Sequence, residues 1–251
     1  MRRLFAYILL SLLPLAATAQ VGEHRSDLAI GFNGGYALSN IGFSPKVTLG
    51  LHGGVTGGFS FRYVCEKYFN TICAVYGEVN YAQIGWQENI VDINDQPVVN
   101  PTTGLREEYG RTMDYIQVPI MARLGWGRED KGAQFFVNLG PQFGYYLSES
   151  TQRNFTDENM NLADRANRQT TQYGMPIENK FDYGIAAGGG LEISLRHIGH
   201  FLLEGRYYYG LGNIYGDSKR DYFQKSNHGV ITIKLGYLFD LAKYRENQQY
   251  H

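Results

Sequence analysis

The stretch Tyr115-Ile116-Gln117-Val118-Pro119-Ile120-Met121-Ala122-Arg123-Leu124-Gly125-Trp126 decides how this chain folds. Ile116, Val118, Ile120, Ala122, Leu124 and Trp126 form an apolar series. Tyr115, Gln117, Pro119, Met121, Arg123 and Gly125 fill the alternate positions. A period of two held this long is a β-strand with two unlike faces. One face is greasy, and the other carries an arginine.

Seven further segments follow the same rule: Leu28–Leu38, Gly50–Val64, Cys73–Trp86, Gln134–Ser148, Phe181–Arg196, Phe201–Leu211 and Gly229–Phe239. The connections between them alternate in length. Those after the odd strands are long: Ser39–Leu49, Gln87–Asp114, Glu149–Lys180 and Gly212–His228. Those after the even strands are short: Cys65–Ile72, Gly127–Ala133 and His197–His200. Tight turns at one end and extended loops at the other mark a membrane barrel with periplasmic turns and external loops. The fold predicted is all-β: an eight-stranded antiparallel up-and-down transmembrane β-barrel. The physical reason is that hydrocarbon offers backbone groups no partner, so a spanning sheet has to close on itself.

The N-terminus agrees with this. Arg2 and Arg3 precede the apolar run Leu4–Leu15, and Ala17-Thr18-Ala19 forms a cleavage signal. Residues 1–19 are therefore read as a signal peptide, 20–239 as the barrel and 240–251 as a short periplasmic tail. No later run approaches the roughly 18 apolar residues a membrane-spanning helix needs. With 31 Gly, 20 Tyr and 14 Phe, the composition suits a narrow barrel with small residues inside and aromatic girdles outside. A net charge of −1 offers no basic face for nucleic acid. The expected partner is outer-membrane lipid, and no cofactor or metal is implied.

Inward positions carry Arg62, Arg123, Arg206 and Lys234 against Glu78, Asp182, Glu192 and Glu204. Unpaired charges inside a narrow barrel cost several kcal/mol each, so a balanced set predicts a plug of ion pairs and no open channel. Glu78 with Glu192 or Glu204 also resembles a paired-carboxylate acid/base site, but the facing cations favour ion pairing. Gly188-Gly189-Gly190 lies within a strand and has no following helix, so it is read as room for bulky neighbours rather than a phosphate loop. His52 is expected to be packed and hydrogen-bonded. Tyr36, Phe61, Tyr63, Trp86, Trp126, Tyr145, Tyr207, Tyr209 and Tyr237 are assigned to the interfacial girdle.

Cys65 and Cys73 are the only cysteines. Export to an oxidising compartment suits a single turn-stapling disulfide between them, with two free buried thiols as the other reading. Among the loops, 90–99 reads as a hairpin, and Asp157–Arg168 as a short helix or a mobile cap. Ser226, His228, Ser218 and Asp217 sit together in the last loop as the residue types of a hydrolytic cluster, but their spacing demands no triad. The chain is expected not to be an enzyme.

Several stretches, taken in order, resemble the PorT-like family of outer-membrane β-barrels of Bacteroidota. They are Gly31-Phe32-Asn33-Gly34-Gly35, Gly77-Glu78-Val79-Asn80-Tyr81, Tyr115-Ile116-Gln117-Val118-Pro119 and Leu139-Gly140-Pro141. The series continues with Gly184 to Gly190, Arg206 to Ile214 and Leu235-Gly236-Tyr237-Leu238-Phe239. The resemblance implies an eight-stranded barrel and a structural or accessory role in an envelope or type IX-like secretion assembly, with secretion-machinery or envelope proteins as partners. A surface receptor or adhesin acting through the long loops is the alternative, and a lipid-modifying enzyme a third.

Overall fold

A computed structural model describes residues 22–129, 131–216 and 222–243. The signal peptide, Asp217, Ser218 and the stretch 244–251 lie outside the described residues. The strands are β1 (Glu23–Ser44), β2 (Leu49–Gly50), β3 (His52–Tyr68), β4 (Thr71–Glu88), β5 (Tyr109–Gly127), β6 (Gly132–Arg153), β7 (Phe181–Leu195), β8 (Gly199–Gly210) and β9 (Lys225–Ala242). The two-residue β2 pairs with the end of β4 and continues the line of β3 past Leu51, so the wall has the expected eight staves. All pairings are antiparallel between chain neighbours, and β1 closes the ring against β9 from Leu28–Ala242 to Ser44–Lys225. Asp240 thus belongs to the barrel, which corrects the tail boundary expected at 239/240.

Following register partners once around the wall leads from Asp27 through Val64, Ala74, Arg123, Asn138, Gly188, Arg206 and Thr232 back to β1 at Ala37. That stagger of ten residues over eight staves sets a strand tilt of about 41°, given ~3.3 Å rise and ~4.8 Å spacing. An apolar band ~25 Å tall then takes about ten residues of each strand. Most strands here are far longer. They climb out of the membrane, so several of the long loops expected from sequence are partly strand.

Above the band the two faces exchange character. Low on β1, Phe32 and Tyr36 point outward and are exposed, while Ala29 and Ala37 are buried. Farther up, Ile41 and Phe43 point inward and are buried, with Asn40, Gly42 and Ser44 outside. On β4, outward Val75, Val79 and Tyr81 give way to inward Ile84 and Trp86. On β5, inward Arg123 gives way to inward Met113 and Tyr109. The backbone alternation is unbroken; only the polarity assigned to each face switches. Once the outer face meets water, apolar side chains gain by turning in.

The upper barrel therefore encloses a hydrophobic core of Phe43, Ile84, Trp86, Met113, Tyr215 and Phe223 with their neighbours. Phe43 packs edge-on to Trp86 at 5.5 Å and against Phe223 at 4.8 Å. Trp86 is 0% exposed, so its assignment to the lipid girdle is corrected. The remaining girdle aromatics are exposed except Tyr237, which is half-buried and donates its hydroxyl to Ile198 O at 2.5 Å. Replacing Trp86 with Ala should cost the upper core about 3–5 kcal/mol. The expected outcome is tryptic cleavage near Arg165 in a protein that still migrates as a folded barrel; undiminished protease resistance would contradict a packed cap.

Candidate functional site

Two structures fill the barrel, a charge plug in the lumen and a folded cap above it. In the plug, Glu78 on β4 accepts from Lys234 Nζ at 2.7 and 2.5 Å, from Arg206 at 2.7 and 3.1 Å, and from Asn80 at 2.8 Å. Arg206 Nε also donates to Glu204 at 2.8 Å, and Asn138 bridges Glu204 (3.1 Å) to Arg123 (3.0 Å). Arg123 reaches Glu192 at 3.3 Å, and Arg62 ion-pairs with the other oxygen of that carboxylate. The Arg123 guanidinium is held between the rings of Tyr76 and Phe136, 3.9 Å from each centroid. These charged groups are all buried.

Seven of the eight sequence-predicted charges thus form one connected network. Asp182 does not join it. It accepts from the Tyr208 hydroxyl at 2.7 Å instead, apart from the network. Two groups that sequence reasoning missed extend the plug toward the periplasm. His200 lies 2.9 Å from Glu192, 2.8 Å from Ser194 Oγ and 3.1 Å from Asp240. The sequence pattern leaves His200 in the short connection His197–His200, whereas β8 begins at Gly199 and gives His200 an inward strand position. The glycines give this network its room: a Cβ on Gly190 would stand 2.8 Å from the Phe136 ring. Beneath the plug, a cavity of 40 Å³ at the periplasmic mouth is lined in part by Arg62, Arg123, Glu192 and His200. That is room for a few waters and no passage.

The cap is built by the segments 89–108 and 154–180. Arg165 donates to Glu107 at 2.6 and 3.0 Å, both buried, and to the Tyr173 hydroxyl at 2.8 Å; its guanidinium lies over Phe155. Tyr173 in turn donates to Glu88. Burial, with Glu88 adjacent, pushes the Tyr173 hydroxyl far above its ordinary range, so it stays a neutral donor. From β5, Arg111 ties Glu149 (2.6 and 2.9 Å) to Met175 O (2.7 Å). The predicted hairpin exists: Val91 bridges Pro97, and Asp92 Oδ1 caps the turn by accepting from Asn94 N and Gln96 N. Hydrogen bonds to those amides hold the Asp92 carboxyl below its usual range. The helical turn is at Thr171–Tyr173, not within Asp157–Arg168.

The family model described as outer membrane protein beta-barrel domain matches residues 18–216. The chain belongs to that family. It is an outer-membrane protein, and members of such a family sit in the lipid bilayer. No curated protein matches it in sequence. Among solved structures, it is similar to Ail, the attachment invasion locus protein of Yersinia pestis, at 16% identity and TM-score 0.33, covering 86% of this chain and 99% of Ail. It is also similar to OprG of Pseudomonas aeruginosa at 13% identity and TM-score 0.41, covering 87% and 97%. The N-terminal barrel of Pseudomonas aeruginosa OprF matches at 12% identity and TM-score 0.35, covering 87% and 99%. Identities this low do not extend to what a protein binds.

Within this family barrel, Ser226 and His228 lie on β9 rather than in a loop, and both are 0% exposed. Ser226 Oγ accepts from Tyr215 N at 3.2 Å, whereas His228 Nε2 meets the Tyr115 hydroxyl at 3.3 Å. They do not bond each other. Both continue the inward phase of β9 that Lys234 also occupies, and the strand begins at Lys225, which corrects their placement in the last loop. His52 is half-buried and bonds Thr112 Oγ1 at 3.0 Å. Cys65 and Cys73 are free thiols here, not the expected disulfide; Cys65 occupies the irregularity between Val64 and Glu66, and the register partner of Cys73 is Glu66.

Removing one member of the plug leaves its partners charged and buried. Glu78→Gln should therefore lower stability by about 3–5 kcal/mol, read as an earlier urea midpoint for unfolding from lipid vesicles. Adding Lys234→Met to that variant should restore part of the loss. A neutral Glu78→Gln would contradict the network.

Proposed function

We propose that this protein is a non-enzymatic, non-conducting outer-membrane scaffold whose folded external cap is its recognition surface. The observation that carries this reading is the exchange of faces above the membrane, by which the upper ends of β1, β4 and β5 and two long segments build a fixed platform. Loops held rigid by a barrel are where recognition concentrates. The buried Arg165–Glu107 pair gives the platform one shape rather than many. Apolar side chains are displayed on it: Ile93 at the hairpin tip is 86% exposed and Leu105 61%.

The finer assignment follows the resemblance to PorT-like barrels of Bacteroidota: an accessory part in an envelope or type IX-like secretion assembly, with the cap engaging another component or its cargo. A surface receptor or adhesin would use the same platform, so the identity of the captured partner separates the two. In planar bilayers the protein should give no steady conductance of porin size, and such a conductance would defeat the scaffold reading. Ile93→Asp with Leu105→Asp should abolish co-purification of partners from native membranes while insertion is unchanged. Retention of the same partners by that variant would remove the cap as the recognition surface.

A further inference from the structure

The outer wall is notched just above the lipid band. The β3–β4 ladder stops at Thr56–Ala82 and resumes only where Leu49 and Gly50 of β2 meet Glu88 and Gln87, so Leu51–Val55 lacks ladder partners on β4. Ser39 bridges the gap by accepting from Gly85 N at 2.8 Å and donating to Gly85 O at 3.1 Å. The Tyr36 ring lies over Gly53, where a Cβ would stand 1.9 Å from its hydroxyl oxygen. Beside this notch runs an open groove of 600 Å³, reaching from Tyr36 across β4 and β5 to the top of β6. That volume is within the ~300–1,000 Å³ of ordinary ligand sites.

Its height and chemistry both point to one occupant. Tyr36 is the last outward aromatic of β1, with exposed Val55 and Ile233 as its register neighbours, so the groove begins where hydrocarbon ends. The side chains along it are uncharged hydrogen-bonding groups: Gln87, Thr112, Gln152 and Asn154, with the His52 imidazole. The charged groups at the rim are already satisfied within the chain, Arg153 by Asp157 at 2.8 Å and Glu108 by Arg106 at 3.0 Å. A phosphate headgroup would need a free cation there. A polyhydroxylated ring needs neutral amides and hydroxyls for its edge and an aromatic for its apolar face, and the groove supplies both.

We propose that this groove seats the sugar headgroup of an outer-leaflet glycolipid, holding the barrel against a specific saccharide rather than generic lipid. Gly110 forms its floor, and a Cβ there would meet nothing nearer than Trp86 O at 3.8 Å. Gly110→Trp should therefore fill the groove without disturbing the wall. Exposed Gln152 offers a second, milder variant, Gln152→Ala. The test uses full-length protein in phosphatidylcholine nanodiscs, titrated calorimetrically with a neutral, phosphate-free oligosaccharide released from the outer core of rough lipopolysaccharide, with inorganic phosphate as the comparison. Intact rough lipopolysaccharide and phosphatidylglycerol are compared by native mass spectrometry. The proposal expects oligosaccharide binding that is at least tenfold weaker in Gly110→Trp and several-fold weaker in Gln152→Ala, with both variants migrating as folded barrels. It also expects lipopolysaccharide to be retained in preference to phosphatidylglycerol. Absence of oligosaccharide binding, equal binding by all three proteins, or preference for phosphatidylglycerol would overturn it. Partner capture through Ile93 and Leu105 is a separate readout, so failure of either proposal is distinguishable from failure of the other.

Discussion

A strand that leaves the membrane meets two solvents along one face. Within hydrocarbon the outward side chains have to be apolar, and the lumen then takes whatever polar groups the chain carries. Above hydrocarbon the same face meets water, and the apolar groups gain by turning inward. The barrel satisfies both conditions without a break in backbone alternation. Phe32 and Tyr36 face lipid, and Ile41 and Phe43, on the opposite phase of the same strand, build a core. The plug, the cap and the groove on the outer wall all follow from where that exchange falls.

The two fillings of the barrel differ in kind. The upper core is held by burial of aromatic and aliphatic groups, as in a soluble protein. The lower filling is ionic, and its members stabilise the barrel only as a set: each pair recovers roughly what its desolvation costs, while a broken pair leaves a buried charge. Connection matters for that reason. Glu78 pairs with both Lys234 and Arg206, Arg206 also meets Glu204, and Asn138 carries the chain of contacts to Arg123 and Glu192. Such an interior closes the lumen as an energetic consequence of being stable.

The wall was legible because period-two patterning states which side chains share a face. Tyr115–Trp126 and its counterparts placed the eight staves and seven members of the plug. Height along the axis is not encoded by that period, so the pattern groups Asp182 with charges it does not touch. The same blindness ended strand one at Leu38. The signal was nonetheless present in Asn40-Ile41-Gly42-Phe43-Ser44, where apolar residues shift from even to odd positions. The same lack of height information leaves Trp86, Ser226 and His228 unresolved by the pattern, although each is inward in the upper barrel. Contacts such as Arg165 with Glu107 join distant segments and leave no local trace.

The exchange of faces can be read directly by placing single nitroxide labels at outward positions of β1, in a Cys65→Ser/Cys73→Ser background reconstituted in lipid vesicles. Power-saturation measurements compare collision with dissolved oxygen, which concentrates in hydrocarbon, and with a water-soluble nickel chelate. Labels at 32 and 36 should be dominated by oxygen, and labels at 40 and 44 by nickel, with the change of sign between 36 and 40. Oxygen-dominated collisions persisting through 44 would contradict the account.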